Sequence, residues 1–140
     1  MSQSTELTGR CLCGSVTLSA SIGESVVDAC HCSMCRRWSG GPMMAVSVDG
    51  EVTFDGKDFV AVYPTSDWAE RGFCRQCGTH LFYRLREHVH YALPVGLLDG
   101  DIGWRFEKEI FVDDQPGYYA FANDTRRMTG EEVLAEFGEP

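Results

Sequence analysis

Seven cysteines dominate the chemistry open to this chain: C-x-C at Cys11 and Cys13, C-x-C-x2-C at Cys30, Cys32 and Cys35, and C-x2-C at Cys74 and Cys77. An odd number of thiols cannot close as disulfides within one chain, and tight clusters of this kind serve metal ligation or redox chemistry. Along an extended segment side chains alternate faces. Cys11 and Cys13 therefore project together while Leu12 points away, and Cys30 and Cys32 project together while His31 points away. A C-x2-C turn pairs Cys74 with Cys77, and the Gly78 that follows supplies the backbone freedom to turn amide groups toward sulfur. Phe73 and Leu81 flank that turn as expected core residues. A thioredoxin-type redox motif would open a helix inside a βαβ pattern, which the sequence lacks.

Zinc favours four-coordination: four thiolates close a structural site, whereas three protein ligands leave a position open to substrate. Seven divides naturally as four plus three. Because Cys30, Cys32 and Cys35 sit too close together to be shared easily between metals, the economical partition puts Cys11, Cys13, Cys74 and Cys77 on one zinc. The three-cysteine cluster then holds a second, giving two Zn(II) per chain. Two purely structural zincs are the alternative, with His31, His80, His88 or His90 completing the second site. If the site is open, three thiolates on Zn(II) leave a net charge of about −1, a weaker Lewis acid than zinc held by neutral imidazoles. Its natural fourth ligand is another sulfur. A substrate thiol bound there would be held as thiolate and stay nucleophilic toward an electrophilic carbon, and the reverse reaction would cleave the same carbon–sulfur bond. The competing expectation is a non-catalytic zinc module that binds a protein partner.

Arg36, Arg37 and Arg75 lie beside the clusters in sequence and are candidates to neutralise thiolate charge or contact an anionic substrate thiol. Trp38, Tyr63, Trp68 and Trp104 are candidates for a pocket lining or for core. His31, between two ligands, is a candidate proton shuttle or a support for its neighbours. Glu87, Asp99 and Asp101 have no partner that the sequence identifies, and neither a Ser-His-Asp arrangement nor a phosphate-binding glycine loop is present.

The elements that must position these residues read as mainly β. From Ser15 to Ile22 the apolar residues alternate with small polar ones, the period of a half-buried strand. Short runs of similar character follow at Met43 to Val48, Val52 to Phe54, Phe59 to Tyr63, Thr79 to Leu85, His88 to Leu93 and Trp104 to Val112, separated by Gly, Pro and Asp. A helical turn is expected after Cys35. A C-terminal helix is expected where Thr129 and Glu132 form a capping box before Val133, Leu134 and Phe137. The length of 140 residues, without repeat or linker, predicts a single zinc-binding domain over residues 1–140. With 44% hydrophobic and 24% charged residues the composition is globular, and a formal charge of −9 opposes binding to nucleic acid or to anionic membrane surfaces. A polar Met1 to Arg10 and the lack of a long apolar stretch predict a soluble, cytoplasmic protein.

The segments G-R-C-L-C-G-S-V (Gly9 to Val16), C-H-C-S-M-C-R-R-W-S-G-G-P (Cys30 to Pro42), C-R-Q-C-G-T (Cys74 to Thr79) and F-V-D-D-Q-P-G-Y-Y-A-F (Phe111 to Phe121) resemble the glutathione-dependent formaldehyde-activating enzyme and centromere protein V family. The likeness extends over nearly the whole chain. It implies an Mss4-like zinc-binding β fold and a carbon–sulfur lyase acting on thiol–aldehyde adducts of the S-hydroxymethylglutathione type. Carried over by position, it implies that Cys11, Cys13, Cys74 and Cys77 are structural zinc ligands and that Cys30, Cys32 and Cys35 hold the catalytic zinc. The implied partners are a small-molecule aldehyde and a thiol, glutathione or another.

Overall fold

A computed structural model describes residues 4–87 and 90–137. Alternation of buried and exposed residues builds most of it. In β2 (Thr17–Ile22), Leu18, Ala20 and Ile22 are buried and the polar residues between them are not. This strand lies between β1 (Thr5–Arg10) and β5 (Thr53–Asp55) in a three-stranded antiparallel sheet.

The remaining strands are β3 (Val26–Cys30), β4 (Met43–Asp49), β6 (Val60–Pro64), β7 (Ala69–Cys74), β8 (His80–Leu85), β9 (His90–Pro94), β10 (Arg105–Ile110) and β11 (Arg126–Met128). They form one eight-stranded sheet in the order β11-β10-β3-β4-β9-β8-β7-β6. Only the pairings of β10 with β3 and with β11 are parallel. A single apolar cluster joins the two sheets: Leu18 and Ile22 from the small one meet Val46, Val48, Phe82 and Leu93 from the large one. Each fully buried aliphatic side chain there contributes about 1.5–3 kcal/mol relative to exposure.

Because side chains alternate, the other face of the large sheet is free of this core. It presents the small residues Ala45, Ser47 and Ala92, flanked by Tyr83 and Arg71, as the floor of a cavity.

Two helices complete the fold. Helix α1 (Ser33–Ser39) starts earlier than expected, since Cys32 itself is the N-cap and Cys35 lies inside the helix. Helix α2 (Gly130–Phe137) carries the expected capping box, with the Thr129 N–H donating to Glu132 Oε1 at 2.9 Å and the Glu132 N–H donating to Thr129 Oγ1 at 3.2 Å. Among the described residues no helix is long and apolar enough to cross a membrane.

The sequence pattern missed β1, β3, β7 and β11. Strand β7 buries Arg71 and Gly72, and β1 buries only Leu7 and Gly9, so neither shows an apolar alternation. The run expected from His88 begins at His90, and His88 lies outside the described residues.

Candidate metal centres and the adjoining cavity

The loop after β1 and the turn between β7 and β8 bring the sulfurs of Cys11, Cys13, Cys74 and Cys77 within 4.8 Å of one another. Cys13 Sγ stands 3.6 Å from Cys11 Sγ and 3.8 Å from Cys74 Sγ. Four sulfurs about 2.3 Å from a tetrahedral zinc would be spaced by about 3.8 Å, so the donor set fits that ion. Backbone donors support it. The Val16 N–H reaches Cys11 Sγ at 3.3 Å, and Gly78, at φ 81°, turns its own N–H back onto the Cys74 carbonyl at 2.7 Å.

The Thr79 hydroxyl ties the two halves together, accepting the Leu12 N–H at 3.1 Å while lying 3.2 Å from Cys77 Sγ. That hydroxyl holds the Cys77 thiol well below the ordinary thiol range, at about 5. The Ser15 hydroxyl and N–H lower Cys13 in the same way. Both shifts favour the thiolate, the form that binds metal.

The second cluster is local. Cys30 ends β3, Cys32 caps α1 and accepts the Cys35 N–H at 3.4 Å, and the three sulfurs of Cys30, Cys32 and Cys35 also lie within 4.8 Å of one another. A hydrogen bond from Cys30 pulls Cys32 down to about 2, and the same contact pushes Cys30 well up. One thiolate is thus easy to form and further ones require a cation. The donor set fits a thiophilic metal that would supply it.

Among the described residues one guanidinium reaches this cluster. Arg71 is only 2% exposed, and its Nη2 lies 3.5 Å from Cys35 Sγ with Nη1 3.6 Å from Met43 Sδ. Its charge sits 5.1 Å from the Tyr83 ring centroid and 5.8 Å from that of Trp38, and its Nε has no hydrogen-bond partner. No described carboxylate pairs with it. A buried cation without a carboxylate would cost several kcal/mol, and the sulfur cluster is what offsets that cost. Burial pushes the neighbouring Tyr83 phenol up to about 12, which keeps it neutral.

Both ring nitrogens of His31 are occupied. The ring is fully buried, with Nε2 2.7 Å from Glu109 Oε1 and Nδ1 2.6 Å from the Tyr119 hydroxyl. Glu109 in turn accepts from Thr125 Oγ1 at 2.5 Å and Arg127 Nη1 at 2.8 Å. Burial alone would raise the Glu109 carboxyl, but these three partners hold it below the usual carboxylate range. The network fixes the backbone between Cys30 and Cys32. It leaves His31 no lone pair for a metal.

The other histidines do not complete the second cluster. His80 packs against Trp38 with ring centroids 5.1 Å apart, and His90 bonds Asp49 at 2.7 Å. No described His, Asp or Glu joins the three sulfurs within metal-ligand range. What the sulfurs face is a cavity of about 500 Å³, lined by all three cysteines. Its walls are Met34 of α1, Trp68, Phe111 and Leu134 of α2. Phe111 takes a left-handed backbone at φ 57°, which is strained for an aromatic residue, and a Cβ on Gly130 would lie 2.9 Å from its ring. The α2 N-terminus is therefore shaped to admit that wall.

Of the sequence candidates, Trp68 lines the cavity, whereas Trp38 and Tyr63 stack on each other away from its lining and Trp104 packs on the core. Arg36 Nε donates to the His31 carbonyl at 2.9 Å, while Arg37, Arg75, Glu87, Asp99 and Asp101 are exposed. Sequence reasoning passed over Arg71, Thr79, Glu109 and Tyr119. Two of these had a signal, Thr79 in the C-R-Q-C-G-T segment and Tyr119 in the P-G-Y-Y-A-F segment.

Comparison with known proteins now bears on this geometry. The family model for the glutathione-dependent formaldehyde-activating enzyme matches residues 6–114. A Schizosaccharomyces pombe protein named as an uncharacterized lyase is 35% identical over 130 residues, covering 92% of this chain and 95% of its own. A Podospora anserina protein bearing the formaldehyde-activating family's name is 33% identical over 105 residues, which are 69% of this chain and 49% of that protein. This chain thus spans about half the length of the Podospora relative. A crystal structure of a Rhodobacter sphaeroides protein matches with a TM-score of 0.61 at 22% identity, covering 73% of this chain and 98% of the other, a likeness of fold.

Proposed function

The chain belongs to the glutathione-dependent formaldehyde-activating enzyme family, and from that membership we propose that it is a zinc-dependent carbon–sulfur lyase that makes and breaks adducts between a thiol and an aldehyde. The observation that carries this reading is the three-cysteine cluster, which lacks a fourth described protein ligand and faces a cavity. In this reading Cys30, Cys32 and Cys35 hold the reactive zinc, while Cys11, Cys13, Cys74 and Cys77 close a structural site and residues 1–140 act as one unit. Seven free cysteines suit a reducing compartment, and we place the protein in the cytoplasm.

Zinc in the three-cysteine site would supply the positive charge that keeps a substrate thiol ionised at neutral pH. The chain's own residues do the rest. Arg71 balances the excess thiolate charge, the His31–Glu109–Tyr119 network fixes the strand end that presents Cys30 and Cys32, and the apolar walls keep water from the reacting atoms. In adduct formation the substrate sulfur's lone pair bonds to the carbonyl carbon. The C–O π pair moves to oxygen, and the proton lost by the thiol ends on that oxygen. Cleavage runs the same steps backward, with the departing sulfur taking the bonding pair.

Exchange NMR between a free thiol and its S-hydroxyalkyl adduct tests the proposal with thiols of differing size, glutathione among them. Zinc-loaded parent protein should accelerate exchange for at least one thiol, and the Cys35→Ser variant should not. Rates unchanged by the parent for every thiol would leave a non-catalytic zinc module as the better account.

A further inference from the structure

The cavity beside Cys30, Cys32 and Cys35 is large enough for a substantial ligand, so its chemistry and not its size decides what enters. We propose that the thiol processed here carries an uncharged, apolar body, aryl or branched alkyl, and that dianionic peptide thiols of the glutathione type are poor ligands. This inference rests on the lyase reading and names its substrate class.

Charge is the first argument. Among the cavity-lining residues Arg71 is the only arginine or lysine, and its Nη2 is already directed at Cys35 Sγ at 3.5 Å. It sits 5.8 Å from the Trp38 ring and 5.1 Å from that of Tyr83, where it serves the cluster and not a distant carboxylate. His90, also on the lining, is engaged with Asp49 at 2.7 Å. The lining adds two carboxylates of its own, Asp28 and Asp114. Asp28 Oδ2 is 3.6 Å from Lys108 Nζ, while its Oδ1 is buried without a hydrogen-bond partner. A glutathione thiolate brings two further carboxylates against a single ammonium, so it stays net anionic. Each carboxylate would lose hydration against this wall with no unengaged arginine or lysine among the described lining residues to meet it, and like charges disfavour one another across a low-dielectric cleft.

Apolar surface is the second argument. Met34, Trp68, Tyr83, Ile110, Phe111 and Leu134 surround the space above the sulfurs. Trp68 and Leu134 stay 39% and 43% exposed, so apolar area remains for a ligand to cover. The small residues Ala45 and Ala92 leave room over the sheet for a flat ring or a branched chain.

Isothermal titration of the zinc-loaded protein with phenylmethanethiol and with glutathione tests this directly. Phenylmethanethiol should bind at least about tenfold more tightly. Asp114 is exposed and outside the metal-binding cysteines, so Asp114→Lys should keep the fold, as melting would verify. It should improve glutathione binding by a larger factor than phenylmethanethiol binding. Glutathione binding as tightly as the aryl thiol overturns the inference while preserving the lyase reading. An Asp114→Lys variant no better for glutathione than the parent counts against the charge argument. If neither thiol binds the loaded protein, the open thiol site itself is refuted, and the inference falls with it.

Discussion

Cys77→Ser should cost the protein its cooperative fold, whereas Cys35→Ser should leave it folded but short of one zinc. The four sulfurs of the closed cluster come from the loop after β1 and the turn after β7, and the bond between these segments spans 61 residues from Cys13 to Cys74. A structural zinc contributes apparent free energies of order 10 kcal/mol in small domains, and a domain's whole stability is about 5–15 kcal/mol. Losing even part of that contribution removes most of the margin. The other cluster draws its ligands from the short segment of Cys30 to Cys35, which β3 pairing and α1 already hold in place. Thermal melts followed by circular dichroism, with zinc content measured on the same samples, should show a lost transition for Cys77→Ser and one zinc fewer with a lowered but still cooperative transition for Cys35→Ser, which uncovers the buried Arg71 charge. Equal unfolding by both variants would mean that the three-cysteine cluster also holds the fold together.

Arg71→Met should weaken metal binding at the three-cysteine site while sparing the closed site. Opposite charges about 4 Å apart at an effective dielectric of 20 interact by about 4 kcal/mol, and the guanidinium stands 3.5 Å from Cys35 Sγ. Half of that value would lower zinc affinity by about thirtyfold. Methionine keeps most of the volume between Trp38 and Tyr83, so the change isolates charge from packing. In the metal-free protein the cluster thiols can take up protons, so loss of the cation need leave no buried charge unpaired. The expected signature is therefore a metal-free protein that melts no lower than the parent and holds its second zinc more weakly in chelator competition. Unchanged affinity would show that Arg71 is not the counter-charge of the cluster.

The grouping of the cysteines into a set of four and a set of three was legible because ligand spacing is a local property: C-x-C and C-x2-C pair sulfurs whatever the surrounding fold. The mainly β character and the α2 capping box were legible for the same reason. What escaped was set by pairing between distant strands. Arg36, Arg37 and Arg75 stood out by their nearness in sequence, yet the cation that meets Cys35 is Arg71, delivered from β7, where its burial disguises the strand as a polar segment. Glu109 and Tyr119 reach His31 because β10 runs parallel to β3 with Ile110 opposite Cys30. No spacing rule in the sequence announces that neighbour. Phe111 and Leu134 joined the cavity wall in the same way, the first through a left-handed backbone and the second as a partly exposed residue of a helix that buries its neighbour Val133.

The most direct measurement of the central claim is the visible spectrum of protein reconstituted with two Co(II) per chain and titrated with a small thiol. If four protein sulfurs shield one cobalt and three hold the other, thiol should change the ligand-field and sulfur-to-metal charge-transfer bands of a single cobalt and leave the second untouched. Loss of that response in Cys35→Ser would place the change at the cavity. A spectrum indifferent to thiol, with both cobalts already four-coordinate, would contradict an open metal site in this protein.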